Sequence, residues 1–206
     1  MKFRASSLGK LMTSSRSKSE VLSQTAKSHI EQLAKETFFN YRNEISSRYI
    51  DKGQQQEHDS IELLNTVRME NYIKHIGRVS NEYLTGECDI LTADTIIDIK
   101  TSWSIDTWPA LPHEAHNSDY EWQMRAYMML YDRPQAEVIS CLVTTDPDLL
   151  SSFDNRELHQ VDHIPADKRI TVVKYDRDIL VEAEIMERLK ICSEYYDQYM
   201  QQLTNK

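Results

Sequence analysis

The chain of 206 residues is sparing with the residues that build special scaffolds: 3 Cys, 4 Gly and 5 Pro. Cys88, Cys141 and Cys192 lie far apart, with no Cys-x-x-Cys and no Cys/His cluster. That spacing argues against a structural zinc or an iron–sulfur cluster and suits reduced thiols in a cytoplasm. Few glycines and prolines, and no internal period, exclude collagen-like and solenoid architectures. No apolar run approaches the ~18 residues of a membrane span. The opening residues, Met1 to Ser7, lack the following apolar stretch of a secretory signal. What is present is globular in kind: 40% hydrophobic, 28% charged, with 11 Tyr and 3 Trp. A chain this long buries roughly 70% of its unfolded surface, enough for one cored domain.

Charge is uneven. The net charge is -9, which by itself argues against a polyanion. Yet residues 1–30 hold six Lys/Arg against Glu20, a net of +5, so the remainder carries -14. A basic arm on an acidic body is a pattern suited to polyanion contact.

Apolar spacing predicts a short helix over 5–12, a helix over 20–40 capped by Ser19, and a long helix over 53–76 stopped by Gly77. The period then changes. Strands are expected over 79–84, 88–91 and 95–99, the last two joined by Thr92-Ala93-Asp94. A loop over 102–118, a helix over 119–131 and a strand over 137–143 follow. Residues 146–167 read as irregular and exposed, 169–174 as a strand, and Asp176 as the cap of a terminal helix reaching about residue 203. This order predicts a single α/β domain over 1–206, with a small mixed central β-sheet flanked by helices. Its parts are a basic helical arm (1–45), a core (53–145) and a C-terminal strand and helix (169–206).

Asp98 is the anomaly. It sits among Ile96, Ile97 and Ile99 in a strand that reads as buried, and Lys100, two positions on, shares its face. A buried carboxylate costs several kcal/mol unless it is paired or binds a metal. A tight turn would bring Asp89 beside Asp98, and two carboxylates that close repel unless a cation lies between them. All-oxygen donors favour a hard ion, Mg²⁺ or Mn²⁺. Gln123 and Tyr127 lie four apart on one helix face, and Glu57 follows Gly53 by four.

Gly86-Glu87-Cys88-Asp89, then Ile97-Asp98-Ile99-Lys100-Thr101, then Gln123-x-x-x-Tyr127, preceded by Glu57, resembles the PD-(D/E)xK nuclease superfamily. Within it the likeness is to the phage lambda-exonuclease-like and exodeoxyribonuclease VIII-like recombination nucleases. Cys88 stands where the name-giving proline would be. The resemblance implies a restriction-endonuclease-like core of order αβββαβ. It implies a catalytic set of Glu57, Asp89, Asp98 and Lys100, bordered by Gln123 and Tyr127. Mg²⁺ (or Mn²⁺) would be held by Asp89, Asp98, the Ile99 carbonyl and Glu57, with Lys100 orienting the attacking water and stabilising the transition state, and taking the water's proton as a further option. Arg4-Ala5-Ser6 resembles the start of a phosphate-binding helix in the lambda-type enzymes, so Arg4 and Ser6 are expected phosphate contacts; Trp103 is an expected base-stacking contact. The implied activity is hydrolysis of linear duplex DNA ends, 5′-to-3′, in phage-type recombination. A single-strand annealing protein is the expected partner, a trimer or tetramer the expected assembly, and the host cytoplasm the location, with no membrane. The alternatives are an endonuclease of the same superfamily and a non-catalytic DNA-binding subunit. His113 and His116 are a weaker metal candidate, better read as a surface loop.

Overall fold

The structure, a computed structural model, describes residues 1–42 and 47–206; the expected end of the basic arm at residue 45 lies outside the described residues. Along the chain run β1 (Phe3–Arg4), α1 (Leu8–Met12), α2 (Gln24–Phe38), α3 (Arg48–Gln55), α4 (Glu57–Arg68), β2 (Val79–Ser80), β3 (Leu84–Gly86), β4 (Ile90–Leu91), β5 (Thr95–Thr101), α5 (Pro112–Ala115), α6 (Ser118–Tyr131), β6 (Gln135–Cys141), β7 (Ile170–Asp176) and α7 (Ile179–Thr204). The central mixed sheet has strand order β4-β5-β6-β7, and a second, smaller mixed sheet, β1-β3-β2, stands beside it. β5 and β6 are parallel; β4 and β7 run antiparallel to their neighbours.

Both faces of the central sheet are covered, which is why β5 is apolar in succession rather than alternating. Ile96, Ala136 and Val138 pack with Met124 and Met128 of α6 and Leu189 of α7. Ile97, Ile99 and Ile139 pack with Ile61 and Leu64 of α4. Among the described residues no helix is long and apolar enough to cross a membrane.

Side-chain hydrogen bonds move several boundaries. Ser23, not Ser19, caps α2, accepting from the Ala26 N–H at 3.0 Å. The helix expected over 53–76 is two helices, α3 and α4, parted at Gln56. α4 ends at Met69, in left-handed conformation (φ 54°), well before Gly77. Asn65 explains the stop: its amide accepts from the Tyr72 N–H at 2.7 Å and donates to the Tyr72 carbonyl at 3.1 Å, drawing the chain out of the helix. The strand expected over 79–84 breaks because Asn81 Oδ1 accepts from the N–H groups of Tyr83 and Leu84, turning β2 into β3. Asp178, not Asp176, caps α7. The stretch 146–167 is less exposed than expected: His159 and Val161 are buried.

Candidate active site

The β4–β5 register pairs Ile90 with Ile97 and Leu91 with Ile96. Extending it by one residue sets Asp89 opposite Asp98. Backbone pairing has already ended there, because the Asp89 carbonyl accepts from the His75 N–H at 2.7 Å. The Asp89 carboxylate replaces it, with Oδ2 accepting from the Ile99 N–H at 2.7 Å. Hairpin geometry thus places both acids on one edge. They line a cavity of about 530 Å³ together with Glu57, Ile99, Lys100 and Gln123.

Asp98 is 3% exposed. Its Oδ1 accepts from Gln123 Nε2 at 3.2 Å, and Gln123 also donates to the Tyr127 hydroxyl at 3.0 Å. Tyr127 in turn donates to the Glu87 carbonyl at 2.7 Å, tying α6 to the segment that carries Asp89. Gly86 permits this approach: a Cβ there would lie 2.6 Å from the Tyr127 ring. The glycine of the Gly-x-x-Asp sequence therefore has a packing reason.

Lys100 Nζ lies 2.5 Å from Asp98 Oδ2 and 4.6 Å above the Tyr120 ring. Burial lowers the Lys100 pKa, but Asp98 outweighs it and holds the ammonium above its ordinary range. In this charge state Lys100 is an electrostatic partner, and the expectation that it also takes a proton finds no support in its surroundings. Beyond this ion pair the buried Asp98 Oδ2 makes no hydrogen bond among the described residues. Asp89 is pushed up to about 8, first by burial, then by Asp98 and, more weakly, by Glu57. Glu57 itself, at the start of α4, is ion-paired with Lys74. Among the described residues no three His, Cys, Asp or Glu side chains are gathered about one point. The fit to a hard cation rests instead on two facing carboxylates, Asp98 with an oxygen served by Lys100 alone and Asp89 pushed toward its neutral form by burial and by Asp98.

Other expected residues fall elsewhere. Arg4 and Ser6 line a separate cavity of about 360 Å³ with Lys2, Lys10, His29 and Arg42. Ser6 heads no regular helix; it lies in a short 3₁₀ turn before the five-residue α1. Trp103 is a correction: the residue is only 9% exposed, its ring packed by Tyr49 at 5.2 Å, His159 at 5.1 Å and the Arg48 guanidinium at 5.1 Å, so it offers no free face to a base. His113 and His116 are exposed, and His116 approaches Glu121 at 3.4 Å. Glu87 turns away from the acids to Gly77 and Arg78. Cys88 N–H donates to the Tyr131 hydroxyl at 3.4 Å, a bond that proline could not make. Two residues went unread. Tyr120 carried a signal, since it precedes Gln123 by three on α6; the buried Lys52 carried none.

An acid at the end of one strand facing an acid on its neighbour, with a lysine two positions past the second, defines the PD-(D/E)xK class of nucleases. No family model and no curated protein matches the chain. Among solved structures, a phage-related exonuclease from Haemophilus somnus 129PT superposes with a TM-score of 0.92 at 34% identity, covering 98% of this chain and 96% of that one. The chain belongs to the lambda-exonuclease-like family of these nucleases. An alkaline exonuclease from Laribacter hongkongensis shares the fold, with a TM-score of 0.71 at 16% identity, covering 99% of this chain and 92% of that one.

Proposed function

We propose that this nuclease hydrolyses phosphodiester bonds of linear duplex DNA from its ends, 5′-to-3′, with Mg²⁺ or Mn²⁺ as cofactor. The observation that carries the reading is the cleft where Asp89 and Asp98 face each other beside Lys100. Asp89, Asp98 and the Ile99 carbonyl would hold the ion, with Glu57 completing its surroundings. The ion supplies Lewis acidity toward the phosphate and toward water. Lys100, as a cation, orients water and stabilises charge growing on the phosphate. Gln123 fixes the Asp98 carboxylate, and Tyr127 fixes Gln123. Arg4 and Ser6 would contact backbone phosphate, in keeping with the basic lining of their cavity. Family likeness supports a trimeric or tetrameric assembly, an annealing protein as partner, and a role in phage-type recombination in a host cytoplasm.

The test offers linear and closed-circular duplex with Mg²⁺ to the intact chain and to Lys100→Ala. Degradation of the linear form alone, lost in Lys100→Ala, is expected. Cutting of the circle would replace this reading by an endonuclease. No cleavage of any DNA with either metal would leave a DNA-binding subunit.

A further inference from the structure

α3 has an unusual foothold. Of its eight residues only Lys52 is buried. The side chain is 1% exposed, and its ammonium reaches beneath the loops that follow β5 and β6. It donates to the carbonyls of Trp103 at 2.9 Å and Val143 at 3.0 Å and to Thr145 Oγ1 at 2.7 Å. All three protons of the ammonium are used, which is what makes its burial tolerable. Thr145 Oγ1 also bonds the Trp103 carbonyl at 3.0 Å and meets His159 Nδ1 at 2.9 Å, so the acceptors form one network. Outward from this network α3 presents Tyr49, Ile50 and Gly53 to the acid cleft, across from Tyr120 and Gln123.

We propose that Lys52 is a positioning residue: its buried, hydrogen-bonded amino group pins α3 onto the ends of β5 and β6 and so holds one wall of the cleft. The effect on DNA rests on the nuclease reading; the docking does not. Arg48, stacked over Trp103 and paired with Asp154, and Gln56, donating to the Thr144 carbonyl at 2.8 Å, steady the two ends of the helix.

The pin has a pH signature. Burial lowers the docked ammonium to about 8, against a weaker upward pull from Asp59 of α4. The other charged or titratable groups about it are His159 across Thr145, Arg48 on its own helix, and Asp154 and Asp106 beyond His159. His159 is lowered by burial and then by Lys52, so it is neutral throughout the alkaline window. Undocked, Lys52 titrates at its ordinary 10.5 and binds a proton more tightly. Raising the pH from about 8 toward 10 therefore favours the docked helix, because docking then no longer desolvates a charge.

Hydrogen exchange of the full chain, read by mass spectrometry and corrected for intrinsic rates, tests this over residues 48–55 with α7 as the internal reference. Lys52→Met is expected to lower protection there about tenfold, the loss that follows from leaving the Trp103 and Val143 carbonyls without their donor, while α7 is unchanged. Thr145→Val, which keeps the ammonium, is expected to lower it by less. In the unaltered chain protection should rise between pH 8 and 10, and this rise should vanish in Lys52→Met. On linear duplex, Lys52→Met should raise KM with kcat retained, as when a binding-competent state is less populated. Unchanged protection in Lys52→Met, or a pH rise that survives in it, overturns the proposal. Should Lys52→Met not fold, Thr145→Val and the pH series decide alone. A chain that cuts no DNA in any form would sink the nuclease reading while the exchange data still judged the pin.

Discussion

Asp98 on β5 and Glu137 on β6 are both buried carboxylates on neighbouring strands of one sheet, yet their surroundings are opposite. The register pairs Asp98 with Val138 and Ile97 with Glu137, so the two acids face different layers, Asp98 toward α6 and Glu137 toward α4. Glu137 has a surplus of cations: Arg68 at 2.5 Å and Lys174 at 3.2 Å serve one carboxylate. The Asp98 side has a deficit: Glu57, Asp89 and Asp98 share a cleft with Lys100, while Lys74 attends Glu57 from the rim. A fold that needed both groups only for stability would balance both. The unbalanced cluster is the one expected to bind something positively charged.

The largest expected effects come from setting the two acids against each other. Asp98→Asn should abolish cleavage; it leaves Lys100 without its carboxylate but relieves Asp89 of its neighbour's charge, so the melting temperature should fall less than in Glu137→Gln. Lys100→Ala should cost about 10²–10³ in kcat, the scale of one lost transition-state partner. Glu137→Gln should leave cleavage intact and cost roughly 2 kcal/mol, because Arg68 is left partly buried without its carboxylate. Thermal melts and DNA cleavage on the three variants check this. Equal destabilisation by Asp98→Asn and Glu137→Gln would erase the contrast.

A second way to sharpen it is the pH dependence of metal binding. The Asp89 carboxyl is raised from 3.8 to about 8 by burial, Asp98 and Glu57. The folded chain then binds the extra proton between those values, so without a divalent ion this group's contribution to stability falls as pH rises from about 4 to 8. Mg²⁺ competes with that proton. The melting temperature should respond to Mg²⁺ weakly at pH 6 and more strongly at pH 8.5, and binding at neutral pH should release a proton measurable by calorimetry. A Mg²⁺ response that is the same at both values would remove Asp89 from the ion's ligands. Asp98→Asn should flatten the dependence; Glu137→Gln should not touch it.

Gly86→Ala comes next in size. The added methyl would meet Tyr127 at 2.6 Å and the Ala5 Cβ at 3.1 Å, so α6 must shift. Overpacking of this kind costs about 1–3 kcal/mol, and here it also displaces the Gln123 that holds Asp98. A melting-temperature loss accompanied by reduced cleavage is expected; full activity in a destabilised protein would separate the glycine's packing from the site.

How far these features were legible depends on how local their causes are. Asp98 betrayed itself because a charge amid Ile96, Ile97 and Ile99 contradicts its own strand, and the turn at Thr92-Ala93-Asp94 brought Asp89 alongside by chain geometry alone. Element ends were misread where one side chain took over backbone hydrogen bonds: Asn65 ending α4, Asn81 bending β2 into β3, Ser23 capping α2. Trp103 looked like a stacking platform because nothing local revealed that Arg48 and Tyr49 would cover it. Lys52 was invisible for the same reason, since a lysine on a polar helix reads as solvated until the carbonyls of two distant loops are placed beneath it.

The smallest expected effects concern the lysines that serve each acid. Lys174 is 77% exposed, and it supplements a carboxylate that already has Arg68. An exposed pair is worth about 0–1 kcal/mol, so Lys174→Ala should be nearly silent in both melting and cleavage. Lys100 is held against Asp98 by the face of Tyr120, a contact worth about 0.5–2 kcal/mol when desolvated. Tyr120→Phe keeps the ring and should change kcat by less than about twofold, while Tyr120→Leu loses the face and should lower it several-fold. If phenylalanine fails as badly as leucine, the hydroxyl and not the ring positions Lys100, and the two lysines differ by a hydrogen bond instead of by stacking.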